Sequence, residues 1–232
     1  VEGTPREGDG GEEVRVIDCV QRTPEWMAAR LGRLCGSRAS DMLATTTKGE
    51  AAGRRNLRMQ LVLERITQRS HERVFQSQAM RDGIDREAMA LELYECVTGR
   101  LVQPVGYVLH DTLEAGCSLD GIVGDWEGQV EAKSPIPATH LEYLRYGVVP
   151  KDYLDQVRHG LWITGLPWCD WFSYQPDFEE RLQIKLVRVY RDEPTIADYE
   201  QKVRAFLREV ELEVHALRTM ANPLETLQQV AS

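Results

Sequence analysis

Between positions 116 and 133 the chain reads Gly-Cys-Ser-Leu-Asp-Gly-Ile-Val-Gly-Asp-Trp-Glu-Gly-Gln-Val-Glu-Ala-Lys. It reads as strand, Gly/Asp-bearing turn, strand: a β-hairpin. A two-residue turn at Asp125-Trp126 sets Gly124 opposite Glu127, Ile122 opposite Gln129 and Asp120 opposite Glu131. Opposed residues share a sheet face with Cβ atoms about 4.5–5.5 Å apart. The two-residue period adds Lys133 to the face of Glu131, and a slip of one residue would scatter the three. Opposed carboxylates repel. A hard divalent cation relieves that, and Mg²⁺ takes a few protein oxygens and completes its octahedron with water and phosphate. Ions so held lower the pKa of a water and clamp the attacking and leaving oxygens of a phosphodiester. A protonated lysine is left to orient that water or to neutralise phosphate charge. The other reading of the same spacing is an exposed hairpin whose Asp, Glu and Lys form a loose salt bridge.

Two more polar side chains fall where apolar ones are expected. A helix from about Met80 to Val97 carries Ile84, Ala88, Leu91 and Tyr94 on one face, with Glu87 three residues after Ile84 and four before Leu91. A carboxylate in such a stripe is costly unless it is paired or near a metal; otherwise it is a boundary residue reaching for water. Gln156, on a helix over Lys151–Thr164, sits beside Val157 and shares a side with Tyr153 and Gly160. Alone, it reads as a half-buried structural hydrogen-bonder.

The elements that must position these residues follow from pattern and punctuation. Thr23-Pro24-Glu25 starts a short helix, with Thr as cap and Pro in the first position, stopping near Gly32. Ser37 is the candidate cap of the next. A helix runs from about Arg54 to Arg69. Strands are expected at about Leu101–Leu109, Ala115–Val123 and Gln129–Lys133. Helices follow over Thr139–Tyr146 and Lys151–Thr164, then strands over Trp168–Tyr174 and Leu182–Val189, and a long helix from Thr195 to Met220. The order lacks regular βαβ alternation, which argues for a mixed α/β core with helices on both faces. The 232 residues suit one domain or two small ones. Residues 1–13 read as a disordered tail, 14–220 as a single domain and 221–232 as a C-terminal tail. Five cysteines, widely spaced and without a CxxC, argue against a disulfide framework or a cysteine-based zinc site. No stretch approaches the ~18 apolar residues of a membrane span, and no secretory leader opens the chain. A cytoplasmic setting is expected.

The net charge of -9 is unevenly spread. From Arg22 to Arg73 there are 11 Lys/Arg against 5 Asp/Glu; the remainder has 17 against 32. Arg54, Arg55, Arg58, Arg65, Arg69 and Arg73 form either a solvated helix face or a basic surface for a polyanion on an otherwise acidic body.

Taken in order, these residues resemble the PD-(D/E)XK nuclease superfamily and, more narrowly, the lambda-type phage alkaline exonucleases, the YqaJ-like viral recombinases. The resemblance spans roughly residues 18–215. It rests on Trp26-x3-Arg30-Leu31-Gly32 followed by Gly36-Ser37-x2-Ser40, on Gly83-x3-Glu87, and on Cys117-Ser118-Leu119-Asp120-Gly121. Glu131-Ala132-Lys133-Ser134-Pro135 and Tyr153-x2-Gln156-Val157 complete it. Leu119 stands where a Pro often precedes the Asp, a backbone preference that leaves the metal site intact. The resemblance implies a restriction-endonuclease-like core, a mixed central sheet flanked by helices. It implies that Asp120, Glu131 and the Ala132 carbonyl bind two Mg²⁺ ions, replaceable by Mn²⁺, and that Lys133 activates or positions the attacking water. Glu87 would hold a water on the metal, and Gln156 would align the substrate. Arg30, Ser37 and Ser118, with Gln156 at the edge, would hold a 5′ phosphate, and Arg54, Arg55 and Arg58 would contact DNA. The implied activity is 5′→3′ digestion of one strand of linear duplex DNA from 5′-phosphorylated ends. The implied partners are two further copies in a trimeric ring and a single-strand annealing protein. Two other readings stand beside this: a sequence-specific endonuclease on the same fold, and a non-catalytic DNA-binding recombination scaffold, which would have no need of the Asp120/Glu131/Lys133 set.

Overall fold

Strand β8 (Gly128–Lys133) shows the alternation most plainly. Val130 and Ala132 turn into an apolar cluster with Ala90, Tyr94 and Phe172, while Gln129, Glu131 and Lys133 turn to the opposite face. That second face is covered by a helix which supplies polar partners, so a strand buried over most of its length carries three polar side chains.

The computed structural model describes residues 4–7, 13–70 and 78–220. Along the chain come β1 (Thr4–Glu7), β2 (Glu13–Ile17), α1 (Pro24–Arg30), β3 (Leu34–Cys35) and a 3₁₀ turn (Gly36–Arg38). Helices α2 (Ala39–Leu43), α3 (Ala52–Thr67) and α4 (Gln78–Thr98) precede β4 (Val102–Gln103), β5 (Tyr107–Leu109), β6 (Ala115–Ser118) and β7 (Gly121–Val123). After β8 come α5 (Pro137–Tyr146), α6 (Lys151–Thr164), β9 (Trp168–Tyr174), β10 (Ile184–Tyr190) and α7 (Glu193–Arg218). The strands form two five-stranded sheets, ordered β1-β2-β5-β6-β3 and β10-β9-β8-β7-β4. Each is mixed: β3 runs parallel to β6 and β8 parallel to β9, the remaining pairs being antiparallel. Helix α6 packs against β5 and β6 of one sheet and β9 of the other, and α4 packs on β8 and β9. The larger core gathers Leu34, Leu57, Leu61, Val108, Ile122, Leu161, Trp171 and Phe206.

The mixed α/β class is as expected, and α6 and β9 keep their expected limits. Thr23 caps α1, its hydroxyl accepting from the Trp26 N–H. Other local expectations are corrected. Part of the supposed N-terminal tail, Thr4–Glu7, is a strand paired in register with β2; an edge strand needs only a backbone partner, which composition does not report. Residues 1–3, 8–12 and 221–232 lie outside the described residues, as does Arg73. The single strand expected over 101–109 is two, because Pro104 has no N–H for a ladder and a Cβ on Gly106 would stand 2.0 Å from the Ile17 carbonyl. The strand expected over 115–123 is also two, β6 in one sheet and β7 in the other, with Leu119-Asp120 crossing between them. Ser37 is no helix cap: it lies inside the 3₁₀ turn, exposed, and no side chain caps either that turn or α2.

The β7–β8 hairpin pairs Gly121 with Val130, Ile122 with Gln129 and Val123 with Gly128. Its loop has four residues, Gly124–Glu127, rather than two. The loop is centred where the shorter turn was expected, so the register is the same. Gly128 starts β8 beneath the Trp168 indole, and a Cβ there would lie 2.4 Å from two ring atoms. Gly128→Ala should therefore cost about 1–3 kcal/mol through overpacking, read as a lower urea midpoint; an unchanged midpoint would contradict this packing.

Candidate active site

Asp120 precedes β7 in a bend, and Glu131 lies within β8. Pairing between β7 and β8 ends at Gly121–Val130, which leaves the next stretch of β8 without a neighbouring strand on that side. The Asp120 carboxylate takes the vacated place: its Oδ2 accepts the Ala132 N–H at 2.7 Å. A strand residue's N–H and C=O leave from one edge, so the Ala132 carbonyl emerges on the Asp120 side as well. Glu131, only 3% exposed, is held from two directions. Its Oε1 accepts from the Lys133 ammonium and from Gln156 Nε2 of α6 at 2.6 Å. The Lys133 Nζ also lies 5.3 Å from the centroid of the Tyr153 ring, a cation–π contact.

Helix α6 is fixed in this place by close approaches. A Cβ on Gly160 would stand 2.5 Å from Gln129 Nε2, and one on Gly36 would touch both Gln156 and His159. His159 is fully buried, its ring nitrogens meeting the Gly116 carbonyl at 3.0 Å and the Tyr199 hydroxyl at 2.8 Å. Burial pushes its pKa down to about 4, so it is a neutral tie between β6, α6 and α7.

The electrostatics of the cluster follow from burial and like charge. The Asp120 carboxyl is pushed up to about 8, first by desolvation, then by the Glu131 charge and further by Glu87. Lys133 and the Ala132 N–H pull against this. The Lys133 pKa is raised although burial, its largest single influence, opposes that; the charges of Glu131 and Asp120 outweigh it. Lys133 is thus a firm cation, a hydrogen-bond donor rather than a base.

Glu87 is half-buried on α4 and makes an ion pair with Arg22, Oε2 to Nη2 2.8 Å. Of the expected apolar stripe, Tyr94 is fully buried and Leu91 packs on the same cluster, joined by Ala90, whereas Ala88 is exposed. The side chain of Ile84 lies outside the described residues. A second group forms at the C-terminal end of β6, two residues before Asp120. Ser118 Oγ accepts from Trp26 Nε1 at 2.7 Å and from Arg30 Nη1 at 3.5 Å, and the Arg30 guanidinium stacks 4.1 Å from the Trp26 ring centroid. A cavity of about 280 Å³ opens beside Arg30, lined also by Trp26, Arg33, Arg38 and Glu64. Ser37 sits next to Gly36, which touches Gln156.

The structure thus brings Asp120, Glu131, Ala132, Lys133 and Gln156 together, sets Glu87 on the helix that packs against β8, and joins Arg30 to Ser118. Arg54, Arg55 and Arg58 are elsewhere, on α3. Arg54 is bound to Glu50 and Glu209, and Arg58 to Glu50 and Glu213; Arg55 is exposed. A larger cavity, about 910 Å³, lies by Arg54 and Arg58, but Lys151, Arg158 and Asp155 in its wall are paired among themselves. It holds none of the clustered carboxylates. Sequence reasoning assigned no role to Trp26 or Arg22. Trp26 and Arg30 are four apart on one helix, and that spacing places them on one face. Nothing local marks Arg22, whose partner is 65 residues away.

Among the described residues no three His, Cys, Asp or Glu side chains assemble a ready cage for a metal ion. Two carboxylates under mutual repulsion and a carbonyl on the same side make an all-oxygen, partial set, which fits a hard cation that keeps several waters and meets phosphate. It does not fit a structural zinc site.

Two mixed sheets flanked by helices, with Asp120-x10-Glu131-x-Lys133 where β7 parts from β8, define a PD-(D/E)XK-type nuclease fold. Residues 25–167 match the YqaJ-like viral recombinase domain, and the chain belongs to that family. An alkaline exonuclease (LHK-Exo) from Laribacter hongkongensis is 36% identical and superposes with a TM-score of 0.77 over 84% of this chain and 96% of its own. The same relative in complex with dAMP gives 0.78 at the same identity and coverage. A phage related exonuclease from Haemophilus somnus 129PT is 10% identical, with a TM-score of 0.62 over 80% of this chain and 96% of its own, and shares the fold. No curated protein matches the chain. The relationship supports a DNA exonuclease. Among the described residues no helix is long and apolar enough to cross a membrane.

A raised carboxyl pKa means that the folded, metal-free protein binds a proton the unfolded chain releases near pH 4. Its stability should therefore fall as pH rises from about 4 to about 8 and then level off as Asp120 ionises. Asp120→Asn keeps an acceptor for Ala132 and cannot ionise. In chelator, urea unfolding should show Asp120→Asn more stable than wild type at pH 8.5, with the gap closing towards pH 5. A gap independent of pH would contradict the electrostatic account.

Proposed function

We propose that the protein is a divalent-cation-dependent 5′→3′ exonuclease of linear duplex DNA. It starts at 5′-phosphorylated ends and leaves 3′ single-stranded overhangs for recombination by strand annealing. The observation that carries this is the separation of two groups on one stretch of backbone. Ser118, which joins Arg30 and Trp26, is two residues from Asp120, so their Cα atoms are at most about 7 Å apart. That is the scale of one nucleotide step. A terminal phosphate gripped by Arg30 and Ser118 puts the next phosphodiester at the carboxylate cluster, which favours release of one nucleotide at a time.

Asp120, Glu131 and the Ala132 carbonyl are the ligands we assign to Mg²⁺ or Mn²⁺, as a pair of ions. Such ions supply Lewis-acid activation of water and neutralise charge on a phosphodiester. The chain's own groups do the rest. Gln156 and Lys133 fix Glu131 by sharing one of its oxygens. Lys133, kept cationic, donates towards a water or a phosphoryl oxygen as charge develops. Trp26 holds Arg30 by stacking, so the guanidinium meets a phosphate already oriented. Assembly as a trimeric ring and cooperation with a single-strand annealing protein belong to the same proposal.

Lys133→Ala should lower the single-turnover rate at saturating DNA by roughly 10²–10³, as removal of other preorganised donors does, with little loss of DNA affinity. A loss of affinity alone would make Lys133 a phosphate contact only. Arg30→Ala bears on the polarity and the end preference. A 5′ phosphate offers about one and a half to two charges where a hydroxyl offers none. Initial rates on 5′-phosphorylated and 5′-hydroxyl duplex, at one salt concentration, should converge in the mutant. An undiminished phosphate preference would remove Arg30 from the pocket. Covalently closed circular DNA should resist the wild-type protein; its cleavage would replace this reading with an endonuclease.

A further inference from the structure

The turn that leads into α1 is tied to the active site at two points. Gln21 Nε2 donates to the Leu119 carbonyl at 2.7 Å, one residue before Asp120. Arg22 reaches Glu87 at 2.8 Å. The turn is closed by Thr23, whose hydroxyl and N–H both donate to the Val20 carbonyl. Arg22 itself has a left-handed backbone, φ +69°, which an L side chain adopts at a cost. From this residue the guanidinium reaches across to α4. Its side chain is 44% exposed and that of Glu87 26%, so the pair is open to water in part. Helix α4 packs on β8, and Ala90, one turn beyond Glu87, clusters with Ala132, so what neutralises Glu87 also acts on the carboxylate cluster.

We infer that Arg22 is a positioning residue that occupies one oxygen of Glu87 and sets the divalent-cation affinity of the Asp120–Glu131 site. The inference rests on the cation site proposed above. While paired, Glu87 presents less negative charge to an incoming ion, and its carboxylate is directed by the guanidinium. Without Arg22 the cluster gains one net negative charge, and Glu87 is free to turn towards the ion or its water. Arg22 thereby trades cation affinity for a fixed Glu87. It also joins the turn that starts the phosphate-gripping helix, with Trp26 and Arg30, to the helix that borders the metal site.

The test is Mn²⁺ binding, followed by electron paramagnetic resonance of the free ion, with no DNA present and no turnover. The proteins are wild type, Arg22→Ala, Arg22→Gly, Arg22→Lys, Glu87→Gln, the double variant Arg22→Ala/Glu87→Gln and Asp120→Ala. Glycine suits the left-handed backbone, so Arg22→Gly keeps the turn even if Arg22→Ala disturbs it. Arg22→Ala and Arg22→Gly should bind Mn²⁺ more tightly by roughly two- to fivefold, the scale of one part-exposed ion pair. Arg22→Lys should stay close to wild type. In the Glu87→Gln background, removing Arg22 should change the affinity by less than in the wild-type background, which isolates the pairwise effect. Unchanged affinity in Arg22→Gly, or an equal change in both backgrounds, overturns the inference and leaves the cation site standing. Absence of Mn²⁺ binding by the wild-type protein, or binding undiminished in Asp120→Ala, overturns the cation site and the inference with it.

Discussion

Two carboxylates set close together in a largely desolvated place are the constraint to which the surrounding structure answers. Coulomb repulsion at short range in a medium less polar than water is worth several kcal/mol per pair, so Asp120 and Glu131 can stay side by side only if other groups absorb it. The chain supplies Lys133 two residues along the same strand, Gln156 from α6 and the Ala132 N–H from the strand edge. Each requires a particular piece of architecture. The Ala132 amide is available because β7 leaves β8 at Gly121. Gln156 is within reach because α6 lies close on β8 at Gly160 and close on the 3₁₀ turn at Gly36. Lys133 is on the right face because a strand alternates. The Asp120 carboxyl, pushed up first by desolvation and then by the Glu131 charge, marks the local instability that a bound cation would relieve.

That instability has to be offset elsewhere, and the packing around α6 shows where. Its apolar side, with Val157, Leu161 and Trp162, joins the large core, while His159 bridges β6 and α7 as a neutral, doubly hydrogen-bonded group. Tyr143, Tyr153 and Trp171 meet edge-on or stacked beside Lys133. A stiff apolar wall under the lysine limits its rotamers, and so keeps the ammonium on Glu131 without a further charged partner. A flexible surface would let the ammonium escape to water and leave Glu131, nearly inaccessible, without its counter-ion.

Much of the site was legible because short-range rules govern it. The Ile122–Gln129 register follows from a loop centred between Asp125 and Trp126, and holds whether the loop has two residues or four. Gln156 facing the same way as Tyr153 follows from helical period. What was not legible depends on distant partners or on a local break. Leu119-Asp120 looks like strand interior, yet the chain changes sheets there, and no periodicity reports a change of sheet. Ser37 has a capping residue's chemistry but sits within a 3₁₀ turn. The Arg22–Glu87 pair links positions 65 apart through a left-handed residue with no glycine to advertise it. Arg30 was picked out from the other arginines only by family resemblance, and its stacking on Trp26 gives the physical reason.

The basic run on α3 illustrates how far a charge count can mislead. Arg54, Arg58 and Arg65 point to Glu209, Glu213 and Glu211 of α7, and Arg58 also binds Glu50. Each such pair contributes little to stability where water screens it, yet each removes a cation from the surface available to a polyanion. Around the cavity beside Arg30 the same holds for Arg33, paired with Glu114, and Arg38, paired with Asp41, whereas Arg30 stacks on Trp26 and reaches Ser118. On a body whose net charge is -9, nonspecific coating of duplex is disfavoured, because binding along a backbone depends on many phosphate contacts at once. A small pocket at the end of α1, where Arg30 stands, suits a feature that duplex DNA presents only at its ends, a terminal phosphate. The distribution of charge after folding, rather than the count of arginines in the sequence, is what favours an enzyme that engages ends.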